Sequence, residues 1–326
     1  MQLAKQGQFI NWTNVMAQDT SWNCLIYQMP PSIAKFLMNG TLNTLPTPVN
    51  LKLWKVTTDD SCPLCHFEHC SLFHILSYCP VALNQGRYTW RHDNVLTLLT
   101  QAIIDKITLL KKEGSNRKHD MWRKIRFIKE GDESSLLRLN KRQIDHGFLG
   151  RANDWEIYAD LIDFKSRPLI EFFNGIISNQ RPDIVLKSKQ LKTVLLLELT
   201  VPAEKNVYNA HNRKEKRYAK LAEDIRTNGF TVELFAFEVG TLGYLSQSFM
   251  AMISKLGLYK KELIKYLSDM TLKGSYGIFI SRMNPNWQPW PLIEYKMVSN
   301  EEEKGNQINP PQTDLRENID SSGERE

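Results

Sequence analysis

Alternating apolar runs mark the middle of the chain. Ile184-Val185-Leu186 and Val194-Leu195-Leu196-Leu197 are short β-rich runs separated by the polar stretch 187–192, a pattern that predicts the two strands of a hairpin. If the turn centres between Gln190 and Leu191, Asp183 stands opposite Glu198. Period two along the second run puts Leu196, Glu198 and Thr200 on one face and Leu195, Leu197, Leu199 and Val201 on the other. Glu198 thus need not be buried with its neighbours and can emerge beside Asp183 at the strand's end. Pro202 marks the strand exit, and the period then changes. From 206 to 228 the spacing is helical, and Gly229 closes the run. At about 100° per residue, Val207, Ala210, Lys214, Tyr218, Leu221 and Ile225 share one narrow face, with Lys216 on the opposite side. A strand is predicted over 231–239, a helix over 259–272 and a strand-like segment over 276–280.

The pattern brings chemistry with it. A lysine inside an apolar stripe must reach water or meet an anion. Two carboxylates facing each other across a strand pair repel unless a cation sits between them. Two acids, a divalent ion and a nearby cation are what metal-assisted phosphodiester cleavage needs: the acids hold the ion, and the cation stabilises charge building on phosphorus. Asp183 and Glu198 are therefore candidate ligands for Mg2+ or Mn2+, with the Leu199 carbonyl a further hard oxygen donor.

A second constellation is independent of the first. Cys62-Pro63-Leu64-Cys65, followed by His74 and Cys79, gives the spacing C-x2-C-x8-H-x4-C. Mixed thiolate and imidazole ligands around a tight cysteine turn select zinc in a closed tetrahedral site, structural or nucleic-acid-binding in role. His66, His69 and Cys70 are alternative ligands in the same loop, and Cys70 is the main rival of His74. Of five cysteines, three go to zinc, which leaves Cys24 and Cys70 and fits a reducing compartment.

Composition narrows the partners. The 326 residues carry a net charge of +6 although the stretch 301–326 is acidic, so the remainder is more basic than the total. Lys111, Lys112, Arg117, Lys118, Arg123, Lys124, Arg126 and Lys129 cluster with Trp122 and Phe127 interleaved. Such a stretch attracts a phosphate backbone in a salt-dependent way; the alternative is a solvated helical face or a linker. Residues 1–13 lack the apolar core of a secretory signal, and no run approaches the roughly twenty apolar residues of a membrane span. A soluble intracellular protein is expected.

Arg181-Pro182-Asp183-Ile184-Val185, then Glu198-Leu199-Thr200-Val201-Pro202, then Arg213-Lys214 and Arg217-Tyr218 resemble the restriction-like endonuclease of site-specific non-LTR retrotransposons. In these elements a single polyprotein joins a reverse transcriptase, a zinc knuckle and a C-terminal nuclease. The likeness runs from 45 to 290 in the family's order, taking in Leu45-Pro46-Thr47-Pro48 with Asn50-Leu51 and Gly86-Arg87-Tyr88-Thr89-Trp90-Arg91-His92-Asp93. It implies an α/β (α+β) fold: a restriction-endonuclease-like PD-(D/E)xK core with helices flanking a small mixed sheet, plus a small CCHC zinc knuckle. It implies DNA cleavage by Asp183, Glu198 and Lys214, with Asp160 similar to an acidic position upstream of the core. The restriction-type pattern has a lysine two residues after the second acid; Thr200 stands there, so Lys214 would take over from the helix. Arg217 fills the place where the family often carries a lysine before its tyrosine, and it competes with Lys214 for the catalytic role. Arg181, Arg213 and Arg217, with Lys118, Arg123 and Lys124, are the candidate DNA contacts. The family pattern also favours His74 over Cys70 as the zinc ligand.

The expected organisation is a remnant of the polymerase or linker region over 1–50, the knuckle and its helix over 51–110, and a basic linker over 111–150. The nuclease core follows over 151–258, then an extension over 259–299 and a disordered acidic tail over 300–326. There is no aromatic-x-Asp-Asp polymerase motif, Asp59-Asp60 standing in another context, so reverse transcription is not expected of this C-terminal part of a polyprotein. The expected function is metal-dependent nicking of double-stranded DNA in the nucleus, with element RNA as a possible second partner. The alternative is an inactive nucleic-acid-binding relic.

Overall fold

The computed structural model describes residues 28–121, 146–161 and 178–290, with side chains in the first span as far as 112. Helices α1 (Pro31–Thr41), α2 (Pro48–Leu53) and α3 (Pro80–Asn84) each open on a proline, whose fixed φ suits a first turn and whose missing N–H is not needed there. Thr47 caps α2 by accepting from the Asn50 N–H at 3.3 Å. Between α2 and α3 lies a loop ending in a π-turn, His74–Tyr78. Helix α4 (Arg87–Met121) follows and runs through the expected 110/111 boundary without a break.

The sheet has four strands in sequence order: β1 (Glu156–Ala159), β2 (Ile184–Ser188), β3 (Thr193–Thr200) and β4 (Thr231–Glu238). β1, β2 and β3 are antiparallel neighbours, and β4 lies parallel to β3. A parallel neighbour needs a crossover, and α5 (Val207–Thr227) supplies it. Ile184 pairs with Leu197 and Ser188 with Thr193, so the turn centres between Gln190 and Leu191 as the pattern requires. Ser246 caps α6 (Gln247–Leu256), which ends on Gly257 in the left-handed conformation at φ 75°. α7 (Lys261–Ile280) completes the described fold. The result is a mixed α/β chain with a small mixed sheet.

Among the described residues two apolar clusters hold these parts. α5 lays Tyr218, Leu221, Ala222 and Ile225 on Val185, Val194, Leu196 and Val232 of the sheet. The second cluster joins Ile33, Phe36 and Leu37 of α1 to the loop cysteines, to Val207 at the start of α5 and to Leu272 and Phe279 of α7. The loop module between α2 and α3 is therefore packed into the molecule's own core.

One expectation is corrected. Residues 276–280 are helical, the last turn of α7, although their aromatic and β-branched content suggests a strand. Packing overrides that propensity: a Cβ at Gly274 would lie 2.8 Å from Arg91, and one at Gly277 would lie 2.3 Å from Trp290. The two glycines let α7 pack closely against Arg91 of α4 and against Trp290. Glu198 is buried at 2 % exposure, because α5 covers the end of β3 that the alternation left open. Of the expected organisation, the tail over 300–326 and the residues 1–27, 122–145, 162–177 and 291–299 of the other spans lie outside the described residues, as do Arg123, Lys124 and the Lys118 side chain. Among the described residues no helix is long and apolar enough to cross a membrane.

Candidate functional site

The cysteine loop converges on one point. The Cys62 N–H donates to the Phe67 carbonyl at 2.8 Å, and the His66 N–H to the Cys62 carbonyl at 2.9 Å. His66 takes φ 57° to close that turn. On the other arm the Cys79 N–H donates to the His74 carbonyl at 2.9 Å, an i→i+5 bond whose wider turn brings residues five apart together. Cys62 Sγ lies 3.9 Å from Cys79 Sγ, and Cys65 Sγ 3.3 Å from His74 Nε2. All four ligand atoms lie within 4.8 Å of one another. With Zn–S near 2.3 Å and Zn–N near 2.0 Å, tetrahedral edges of about 3.4–3.8 Å are expected, so the donor set fits a zinc ion. Phe67 stacks flat on the His74 ring, 4.9 Å between centroids.

Electrostatics separates ligands from bystanders. Burial lowers His74, which favours the neutral imidazole that binds metal. Burial works against the Cys62 thiolate, but the Cys65 and Leu64 backbone N–H groups outweigh it and lower the thiol. Burial pushes Cys79 up to about 12; a divalent ion offsets that, since a coordinating thiol is deprotonated outright. Cys70 is pushed up further by burial and by the neighbouring cysteines, and it lies outside the four-ligand group. His69 is exposed and bonds Asp60 at 2.7 Å, while His66 points to solvent as an exposed residue. His74, not Cys70, completes the cluster.

At the open end of the hairpin the acid pair has the geometry expected from counting. The register places Asp183 across from Glu198, and they interlock: the Asp183 N–H donates to Glu198 Oε2 at 3.1 Å, and the Leu199 N–H to Asp183 Oδ2 at 2.7 Å. Lys214 of α5 donates from Nζ to Glu198 Oε1. The lysine in the apolar stripe has found its anion. Burial and the facing Asp183 raise the Glu198 carboxyl, against Lys214, which lowers it. Tyr218, one turn on, is buried and donates to the Arg181 carbonyl at 2.9 Å, fixing the chain just before Asp183. The Thr200 hydroxyl is buried without a partner.

The remaining candidates fall around this pair. The Asp160 N–H donates to the Asp183 carbonyl at 2.9 Å, which sets Asp160 at the same end of the sheet, but its side chain is exposed and 3.5 Å from the Tyr158 hydroxyl. Arg181, Arg213 and Arg217 are exposed. The Arg217 guanidinium lies over the Tyr218 ring at 5.6 Å, and it is Lys214 that bonds Glu198.

Sequence reasoning gave no role to His92. Its Nε2 lies 3.2 Å from Asp183 Oδ2 and its Nδ1 3.0 Å from Asp93 Oδ1. Burial opposes the imidazolium, but the Asp183 carboxylate and then Asp93 outweigh it and raise His92 from 6.5 to about 10. A signal was present: His92 shares a helical face with Leu96, Leu99 and Ile103, all fully buried. The same stripe argument that singles out Lys214 also singles out His92.

No protein-family model and no curated protein matches this chain.

Proposed function

We propose that this chain is a divalent-metal-dependent endonuclease of the PD-(D/E)xK type that nicks double-stranded DNA in the nucleus, derived from a non-LTR retrotransposon polyprotein. The observation that carries the reading is the interlocked pair Asp183 and Glu198 at the open end of a hairpin, with Lys214 reaching Glu198 from the crossover helix. Two facing carboxylates are unfavourable unless a cation relieves them; burial first and then the facing Asp183 raise Glu198, against Lys214. The donor set is hard oxygen, which suits Mg2+ or Mn2+.

When bound, such an ion would polarise the phosphate and activate water as nucleophile. The residues of the chain do the rest. Asp183 Oδ1 and the Glu198 carboxylate would hold the ion. Lys214 Nζ turns from Glu198 to a non-bridging phosphate oxygen and holds its proton there, against the charge of the pentavalent state. Tyr218 keeps the Arg181 end of the strand in place. Arg181, Arg213 and Arg217 lie exposed where a DNA backbone would pass, and the zinc knuckle seats the target. Element RNA is a second partner on this reading.

A nucleic-acid-binding relic without cleavage is the second reading. One observation favours it: among the described residues the group of three or more metal-ligating side chains is the Cys/His cluster, whereas the acid pair offers two. Nicking of supercoiled plasmid by the purified chain, with Mg2+ or Mn2+, separates the two readings. Relaxed product that is lost in both Asp183→Ala and Lys214→Ala supports the endonuclease. DNA binding with no nicking under any metal supports the relic.

A further inference from the structure

One turn of α4 touches everything that matters. Tyr88 Oη accepts from the Cys79 N–H at 3.0 Å and donates to the Ile75 carbonyl at 2.9 Å, so it grips the arm that carries two zinc ligands. Arg91, 2 % exposed, donates to the Leu76 carbonyl at 3.1 Å, to the Val201 carbonyl at 3.3 Å and to Ser275 Oγ at 2.9 Å. It thereby ties the same arm to the exit of β3 and to α7. His92 ends the series on Asp183. These positions span about 6 Å of helix rise.

At Asp183 the consequence is geometric. Oδ2 takes both His92 Nε2 and the Leu199 N–H, which fixes the rotation of the carboxylate. Oδ1 carries no hydrogen bond among the described residues and is the oxygen left for a cation. Orientation of a ligating carboxylate by a partner behind it is worth 10–100-fold in metal affinity as a rough guide.

We propose that His92 is a positioning residue, which aims the free oxygen of Asp183 and makes the acid site depend on the zinc-bearing arm through α4. The inference rests on the endonuclease reading of Asp183 and Glu198, and it adds that the knuckle acts on the acid site as well as on nucleic acid.

The test is Mn2+ binding to the zinc-loaded full chain, followed by electron paramagnetic resonance, beside Mn2+-dependent nicking. Wild type, His92→Ala, His92→Gln, His92→Asn and Asp183→Ala are compared. Wild type should bind Mn2+, and Asp183→Ala should abolish that binding. His92→Ala should weaken it by about 10–100-fold and raise the Mn2+ concentration for half-maximal nicking to match, with a much smaller loss of rate at saturation. Gln places an N–H near the reach of Nε2 and should recover most of the affinity, whereas Asn is too short and should not. A residue that only stabilises the fold would shift the melting temperature without this split. If His92→Ala does not fold, the Gln and Asn variants carry the test, and equal affinities in the two overturn the proposal. Unchanged or tighter Mn2+ binding in His92→Ala, with Asp183-dependent nicking intact, overturns it alone. No Mn2+ binding by wild type overturns the proposal and the endonuclease reading together.

Discussion

Lys214 meets Glu198 from a helix, although Thr200, two residues beyond Glu198 on the strand itself, occupies the position from which a cation would have the shortest reach. The pair is nearly closed to solvent, with side-chain exposures of 18 % and 2 %. Lys214→Met keeps the stem and removes the charge. It should lower nicking by about 10²–10³, the usual cost of one transition-state donor. The variant should also lose about 1–3 kcal/mol of stability, because a buried acceptor loses its partner. Plasmid relaxation rates and urea unfolding measure the two effects separately.

Thr200 itself yields the opposite expectation. Its buried hydroxyl has no partner, and valine has nearly the same shape and a higher strand preference. Thr200→Val should be neutral to about 1 kcal/mol stabilising, with nicking intact. A large loss of nicking would show that the hydroxyl takes part in the reaction.

The zinc cluster should be part of the fold's stability. Cys62 and Cys79 lie in the same apolar cluster as Phe36 and Leu272. Chelation, or Cys65→Ser, should lower the unfolding midpoint by on the order of 10 °C, and metal analysis should find zinc lost in parallel. Cys70→Ala should retain its zinc. Zinc lost from Cys70→Ala with His74→Ala still loaded would reverse the ligand assignment.

Glu204 gives a pH dependence. It is fully buried and accepts from Thr241 Oγ1 at 2.9 Å and from the Leu242 N–H. Burial, only partly opposed by these bonds and by Arg91, raises it from 4.5 to about 7. The folded value exceeds the unfolded one, so its contribution is complete below pH 4.5 and is lost as pH rises through 7. The loss across that window should be about 3 kcal/mol. Urea unfolding of wild type at pH 5, 6, 7 and 8 should show it, and Glu204→Gln should remove that part of the slope.

How much of this was legible depends on how far apart the partners are. The hairpin could be counted because two apolar runs and a polar turn fix a register, and the facing of Asp183 and Glu198 follows from it. Lys214 could be placed because an amphipathic helix reports its inward face. The burial of Glu198 could not be read, since alternation along a strand does not say how far the next helix extends over it. Residues 276–280 were misread because their composition is β-like, while the glycines that admit Arg91 and Trp290 act only through tertiary approach. Arg91 is hardest of all: a buried guanidinium bonded to the Leu76 and Val201 carbonyls and to the Ser275 hydroxyl, from three parts of the chain, leaves no local pattern.

The two acids and Lys214 meet across separations of 15 and 16 residues, whereas His92 reaches Asp183 across 91. Closing a chain loop costs more entropy as the loop lengthens, roughly with the logarithm of its length, and contacts between distant residues form late in folding. The hairpin and its crossover helix can therefore bring acids and lysine together while the chain before them is still unstructured. On that ordering the histidine would arrive afterwards, with α4. A chain caught between those two events would hold its acids in place with no restraint on how Asp183 turns.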